Sequence, residues 1–165
     1  RGRIWYESVS DQGSEFFFEL KLQRISKTTE PEPEKTEENI ECNWSSKKVL
    51  VAEDEFSNFV LIKHILKQTD IQITHVENGL EALKELEGKN SFDIVLLDIK
   101  MPVMDGEETI KKIREKEMDI PVIAQTAYAM IDDGTRCLNA GCNDYITKPL
   151  KTVELLSKMG AFLNS

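Results

Sequence analysis

From Lys48 onward, apolar runs of strand length alternate with stretches of helical period. The runs occupy residues 49–52, 71–76, 94–97 and 122–125, with a weaker one at 144–146. Between them, Phe56, Phe59, Val60, Ile62, His64, Ile65 and Leu66 recur at helical spacing, and so do Leu80, Ala82, Leu83 and Leu86. Ile110 and Ile113 mark a third helix, and residues 130–139 and 153–163 a fourth and a fifth. A strict alternation of strand and helix closes through right-handed crossovers, which makes the strands parallel and covers both faces of the sheet. The prediction is an α/β fold, one doubly wound five-stranded domain over residues 48–165. Sheets of this kind bind ligands beyond the carboxyl ends of their strands.

The front of the chain follows other patterns. Residues 4–9 and 15–22 alternate at period two, with Phe16, Phe18, Leu20 and Leu22 on one face and turn formers at 10–14 between the two strands. This predicts a β-hairpin within residues 1–23. Over residues 24–47 the pattern lapses: Glu30-Pro31-Glu32-Pro33-Glu34, then Glu37, Glu38 and Glu41, supply charge and proline and little to bury, as in an extended acidic linker. A lone hairpin with an aromatic stripe is marginal in water, so it should find a partner, either the larger domain or another chain.

Composition bounds the picture. The 165 residues are 40% hydrophobic and 31% charged, which supports one ordinary core plus a small appendage. The net charge is −9, and acid outnumbers base on both sides of Lys48, which argues against a nucleic acid or an anionic membrane as a direct partner of these residues. No apolar run approaches the roughly 18 residues of a membrane span, and no charged-then-apolar leader opens the chain. Cys42, Cys137 and Cys142 are odd in number and form no metal-ligand pattern with His64 or His75, so they read as reduced thiols in a cytoplasmic setting. Opening on Arg1 instead of Met, the chain reads as a piece of a longer protein.

The chemistry collects where strands end. The first strand of the larger domain runs into Glu53-Asp54-Glu55 and the third into Asp98, so Glu53, Asp54 and Asp98 converge on one sheet edge. Crowded carboxylates resist ionising together unless a cation sits among them, which points to a hard, oxygen-ligated ion, Mg2+. Its shell would draw on Asp98, on Glu53 or Asp54 (one of them through water), on a backbone carbonyl just past Asp98, on water and on a phosphate oxygen. Asp54 also precedes a helix and has the alternative of serving as its cap. The fourth strand ends in Gln125-Thr126-Ala127 and the fifth is followed by Thr147-Lys148-Pro149, which brings a hydroxyl and an ammonium to the same edge. Together they outline an anion site, suited to neutralise and hydrogen-bond a phosphoryl group on Asp98.

In order, spacing and strand context, Val51-Ala52-Glu53-Asp54, Leu97-Asp98-Ile99-Lys100-Met101-Pro102-Val103-Met104-Asp105-Gly106, Thr126-Ala127 and Lys148-Pro149 resemble the receiver domain of two-component response regulators. The resemblance covers residues 48–165 and implies a flavodoxin-like sheet of strand order 2-1-3-4-5. It implies that Asp98 is the phosphoacceptor, that Glu53 and Asp54 are the Mg2+ pair, and that the Lys100 carbonyl completes the metal site. Thr126, the Ala127 amide and Lys148 would contact the phosphate, and Lys148-Pro149 matches the family's cis peptide. Asn58 matches a first-helix variant of receivers fused to kinases. The implied donor is the phosphohistidine of a kinase dimerisation and phosphotransfer domain, in cis or in trans, with a histidine phosphotransfer protein as a further partner. Lys100 and Tyr128 would modulate the lifetime of the aspartyl phosphate, the bulk of Tyr128 slowing attack by water. A switch is implied in which Thr126 is drawn to the phosphate and Tyr145 turns inward, although Tyr145 also fits an ordinary half-buried strand tyrosine. The face of helix 4, strand 5 and helix 5 would then change, and it or the hairpin would carry any dimer contact.

A second resemblance concerns the front. Arg1-Gly2-Arg3-Ile4-Trp5-Tyr6-Glu7-Ser8 and Gly13-Ser14-Glu15-Phe16-Phe17-Phe18-Glu19-Leu20 are similar to the last two strands of the histidine-kinase ATP-binding domain. With the linker, this implies a hybrid sensor histidine kinase as parent, membrane-anchored upstream. These residues hold neither the ATP-site boxes nor a histidine box, so alone they would catalyse only their own phosphorylation. Two other readings compete with the phosphoacceptor one. A phosphatase-like hydrolase with an aspartyl nucleophile wants a second carboxylate two residues past it, where Lys100 stands; a non-catalytic doubly wound interaction module would lack one of the acids or the lysine.

Overall fold

The computed structural model describes residues 3–9, 13–19, 42–127 and 131–164, and the side chains of all of these except 131–135. Tyr128, the linker as far as residue 41, and Leu20 and Leu22 of the expected aromatic face lie outside the described residues. The chain divides into two compact units, Arg1–Thr36 and Glu37–Ser165.

The first unit contains the expected hairpin. Strands β1 (Arg3–Val9) and β2 (Gly13–Glu19) pair antiparallel in register from Arg3 opposite Glu19 to Val9 opposite Gly13. Gly13 and Ser14, expected in the turn, are paired in the ladder instead. Gly13 sits at φ 100, a value glycine reaches without the clash a Cβ would bring. Ile4, Tyr6, Phe16 and Phe18 form an exposed apolar face, and Trp5 stacks on Phe17 with ring centroids 5.4 Å apart.

In the second unit, strands alternate with α-helices, and a 3-10 turn (Lys67–Thr69) extends the first of them. The elements are β3 (Lys48–Ala52), α1 (Phe56–Leu66), β4 (Gln72–Val76), α2 (Gly79–Glu87), β5 (Ile94–Asp98), α3 (Gly106–Glu115), β6 (Val122–Thr126), α4 (Ile131–Ala140), β7 (Asp144–Thr147) and α5 (Thr152–Leu163). All five strands are parallel, in the order β4-β3-β5-β6-β7, which is 2-1-3-4-5 counted from β3. The period of two sends successive side chains to opposite faces. Val49, Val51, Leu96, Ile123 and Ile146 pack with Ile62, Ile65, Leu155 and Met159 of α1 and α5. Leu50, Ala52, Val95, Leu97, Val122 and Ala124 pack with Ala82, Leu83, Ile110, Ile113 and Cys137 of α2, α3 and α4. Asn78 and Asp105 start α2 and α3 by accepting the backbone N–H of Glu81 (3.0 Å) and Glu108 (2.8 Å).

One residue departs from its sequence setting. Trp44, inside the stretch read as linker, is 2% exposed in the core beneath α1 and α5. Its indole N–H donates to Asn164 Oδ1 at 2.9 Å and its backbone N–H to Thr69 O at 2.7 Å, so the ordered domain begins before β3. Among the described residues, no helix is long and apolar enough to cross a membrane.

Candidate active site

Four of the five strands deliver a polar group to the same end of the sheet. Glu53 follows β3, Asp98 ends β5, Thr126 ends β6 and Lys148 follows β7. The register that aligns Ala52 with Leu97, Asp98 with Gln125 and Thr126 with Thr147 brings these chain-distant residues together. A Lys148 N–H···O=C bond to Thr126 of 2.8 Å carries the ladder one step further, ahead of the cis Lys148-Pro149 peptide.

The lysine lies at the centre of the polar cluster. Its Nζ donates to Asp98 Oδ2 at 2.6 Å and to both oxygens of Glu53, at 2.8 and 3.1 Å. The other Asp98 oxygen accepts the Lys100 backbone N–H at 3.0 Å. Glu53 is fully buried, Asp98 and Thr126 nearly so, and Asp54 is exposed. Burial pushes the Glu53 carboxyl above the usual carboxylate range; bonds from Lys148 and Asn58 oppose that rise and the Asp98 charge adds to it. Burial alone would lower the Lys148 ammonium, but its bonds to Asp98 and Glu53 outweigh burial and hold it above its ordinary value.

Carboxylate oxygens of Glu53, Asp54 and Asp98 lie within 4.8 Å of one another. Three carboxylates against one ammonium leave surplus negative charge, and an all-oxygen donor set with one solvent-facing member fits a hard divalent cation such as Mg2+. Asp54 does not cap α1: Glu55 holds the cap position, without a side-chain cap bond. The turn past Asp98 folds back tightly enough that a Cβ at Gly106 would stand 2.4 Å from the Asp98 carbonyl oxygen and 2.7 Å from Ile99 Cα. The Met-Pro-Val-Met-Asp-Gly run therefore ends in the residue its path requires.

Ala127 is exposed at the mouth of the site, and Tyr145 is half-buried on β7, where its ring lies 5.7 Å from the Lys158 ammonium. Two supports had no strong signal in the sequence. Asn58, noted only as a family variant, donates to Glu53 Oε1 at 2.8 Å. His75, which fits no metal-ligand pattern in the sequence, has its Nε2 2.8 Å from the Glu53 carbonyl oxygen and its ring stacked on Phe59 at 3.8 Å. The parity of β4 could have placed His75 on that face, but not its partner.

Comparison with known proteins agrees with this geometry. The family model described as response regulator receiver domain matches residues 49–160. Hybrid signal transduction histidine kinase A of Dictyostelium discoideum is 36% identical over 126 residues, covering 72% of this chain and 6% of that protein. The chain spans less than a quarter of the length of the first curated relatives it matches. Among solved structures, the receiver domain of sensor histidine kinase PA1611 from Pseudomonas aeruginosa PAO1, with a magnesium ion coordinated in the active site cleft, is 34% identical with a TM-score of 0.67, covering 72% of this chain and 98% of that one. The Saccharomyces cerevisiae co-crystal of the histidine phosphotransfer protein Ypd1 and the receiver domain of its downstream response regulator Ssk1 gives 27% identity and a TM-score of 0.66, over 70% of this chain and 88% of that one.

Proposed function

The chain belongs to the response regulator receiver domain family, phosphoacceptors of two-component signalling, and we propose that Asp98 takes its phosphoryl group from a phosphohistidine. The observation that carries this reading is the Lys148 ammonium, 2.6 Å from Asp98 and 2.8 Å from Glu53, with Asp54 beside them. A lysine so held is a charge placed where a phosphoryl group will arrive.

In this reading Glu53, Asp54, Asp98 and the Lys100 carbonyl hold Mg2+, which when bound screens the phosphoryl oxygens against the incoming carboxylate. The Lys100 N–H and the Lys148 ammonium fix the Asp98 carboxylate from its two oxygens. One Asp98 oxygen attacks phosphorus in line, the P–N bond breaks and the imidazole leaves with its electron pair. Lys148 then turns to a phosphoryl oxygen, and the Thr126 hydroxyl and Ala127 amide donate to others. Attack of water on phosphorus reverses the modification, at a rate Lys100 and Tyr128 influence. Movement of Thr126 towards the phosphate and of Tyr145 inward changes the α4–β7–α5 face, where a dimer contact would form.

The wider setting belongs to the same proposal. Kinase relatives, together with the hairpin, favour a hybrid sensor histidine kinase in the cytoplasm as parent, with residues 1–23 from its ATP-binding domain, 24–47 a linker and 48–165 the receiver. The donor is that kinase's dimerisation and phosphotransfer domain or another's, and the Ypd1 complex favours a histidine phosphotransfer protein as a further partner. Acetyl phosphate with Mg2+, read by intact-mass spectrometry, should add one phosphoryl group per chain and none to Asp98→Asn. An undiminished adduct in the variant would sink the assignment.

A further inference from the structure

The core beneath α1 and α5 contains one polar intruder beside the phosphoacceptor. On β6, Ile123 and Gln125 share a sheet face with Leu96 and Asp98 of β5 and with Ile146 of β7. Leu96, Ile123 and Ile146 fill the apolar layer, whereas Gln125 brings a fully buried carboxamide into it. Neither Nε2 nor Oε1 of Gln125 has a hydrogen-bond partner among the described residues. Buried amides without partners are rare because folding strips them of water and returns nothing.

The bonding around Asp98 explains why the amide is left out. Lys148 directs its Nζ at three carboxylate oxygens, Glu53 Oε1, Glu53 Oε2 and Asp98 Oδ2, which match its three N–H donors. Asp98 Oδ1 accepts from the Lys100 N–H. The ring is closed without Gln125, although the register sets Gln125 directly opposite Asp98. Phosphorylating one Asp98 oxygen removes the carboxylate charge that attracts Lys148 and re-aims the ammonium at the phosphoryl group, which opens the ring beside the idle amide.

From this we infer that Gln125 is a positioning residue of the loaded site: its carboxamide is unpaired while Lys148 bridges Glu53 and Asp98, and gains a partner in the Asp98–Lys148 group once that bridge is released. The inference rests on the phosphoacceptor reading. Gln125 raises the energy of the unloaded state and lowers that of the loaded one, so it favours retention of the phosphoryl group. A residue merely tolerated in the core would act equally on both states.

The test compares the parent chain with Gln125→Leu and the near-isosteric Gln125→Met, each with and without beryllofluoride and Mg2+. Both variants should melt higher than the parent when unloaded, gain less on loading, and bind beryllofluoride about fivefold more weakly, the effect of one neutral hydrogen bond. Unchanged beryllofluoride affinity, an equal shift in melting temperature in both states, or variants that melt lower or fail to fold when unloaded would each overturn the role of Gln125. A parent that binds no beryllofluoride would instead overturn the phosphoacceptor reading on which it rests.

Discussion

Replacing Lys148 with methionine keeps much of the aliphatic stem and removes the only ammonium shared by Glu53 and Asp98 among the described residues. Glu53 is 0% exposed and Asp98 5%, so neither carboxylate recovers its water in place. Removing one partner from a buried ion pair costs about 3–5 kcal/mol. The lysine side chain is 19% exposed, so the lower end, about 3 kcal/mol, is expected at neutral pH. With a urea dependence of about 2 kcal/mol/M, the midpoint should fall by about 1.5 M. Trp44, 2% exposed in the domain core, reports the transition by fluorescence once Trp5 of the hairpin is changed to phenylalanine.

The pH dependence of that loss has a definite sign. Burial already raises the folded-state pKa of Glu53, and losing Lys148 removes bonds that lower it. A carboxyl whose folded value lies above its unfolded one contributes stability below the unfolded value, and that stability is lost as pH rises. The deficit of Lys148→Met should therefore shrink on acidification from neutral pH, and millimolar Mg2+ should restore part of it by binding the native carboxylates. A midpoint change under about 0.5 M, or a deficit that grows as pH falls, would show that the two carboxylates are solvated and refute the argument.

Two further outcomes follow from the packing around Gly106 and Cys142. Gly106→Ala would force a Cβ to within 2.4 Å of the Asp98 carbonyl oxygen, so backbone must move; the expected cost is about 2 kcal/mol in urea melts, with slower labelling by acetyl phosphate because Asp98 is displaced. Burial pushes the Cys142 thiol up to about 12, so at mildly alkaline pH iodoacetamide should label it only in denaturant, as peptide mapping would show. Its raised folded value also means that its contribution to stability is present below the ordinary thiol range and is lost as pH climbs towards 12.

Strand number, order of elements and the residues at the strand ends were legible because each rests on a local signal. Four- to six-residue apolar runs mark buried parallel strands, and a polar residue at the end of such a run stands at the sheet edge whatever the partner strands do. Boundaries were less legible. Trp44 lies in an acidic, proline-bearing neighbourhood, where one aromatic carries no periodicity, and its burial depends on Asn164 at the far end of the domain. Gly13 and Ser14 look like turn residues, and only pairing with Val9 and Ser8 makes them strand.

Contacts were the part that residue patterns alone do not encode. Glu53 and Lys148 are 95 positions apart, and their 2.8 Å bond exists because three strand pairings in succession hold register across the sheet. A slip of one residue in any pairing would send the alternating side chains of one strand to the opposite face and part the acid from the ammonium. The same parity puts Gln125 on the face of Asp98, where its identity is costly, when an apolar residue would have continued the layer of Leu96, Ile123 and Ile146. Local pattern and global fold disagree at that one position of β6, and such disagreements are expected where a site needs something that the resting fold does not.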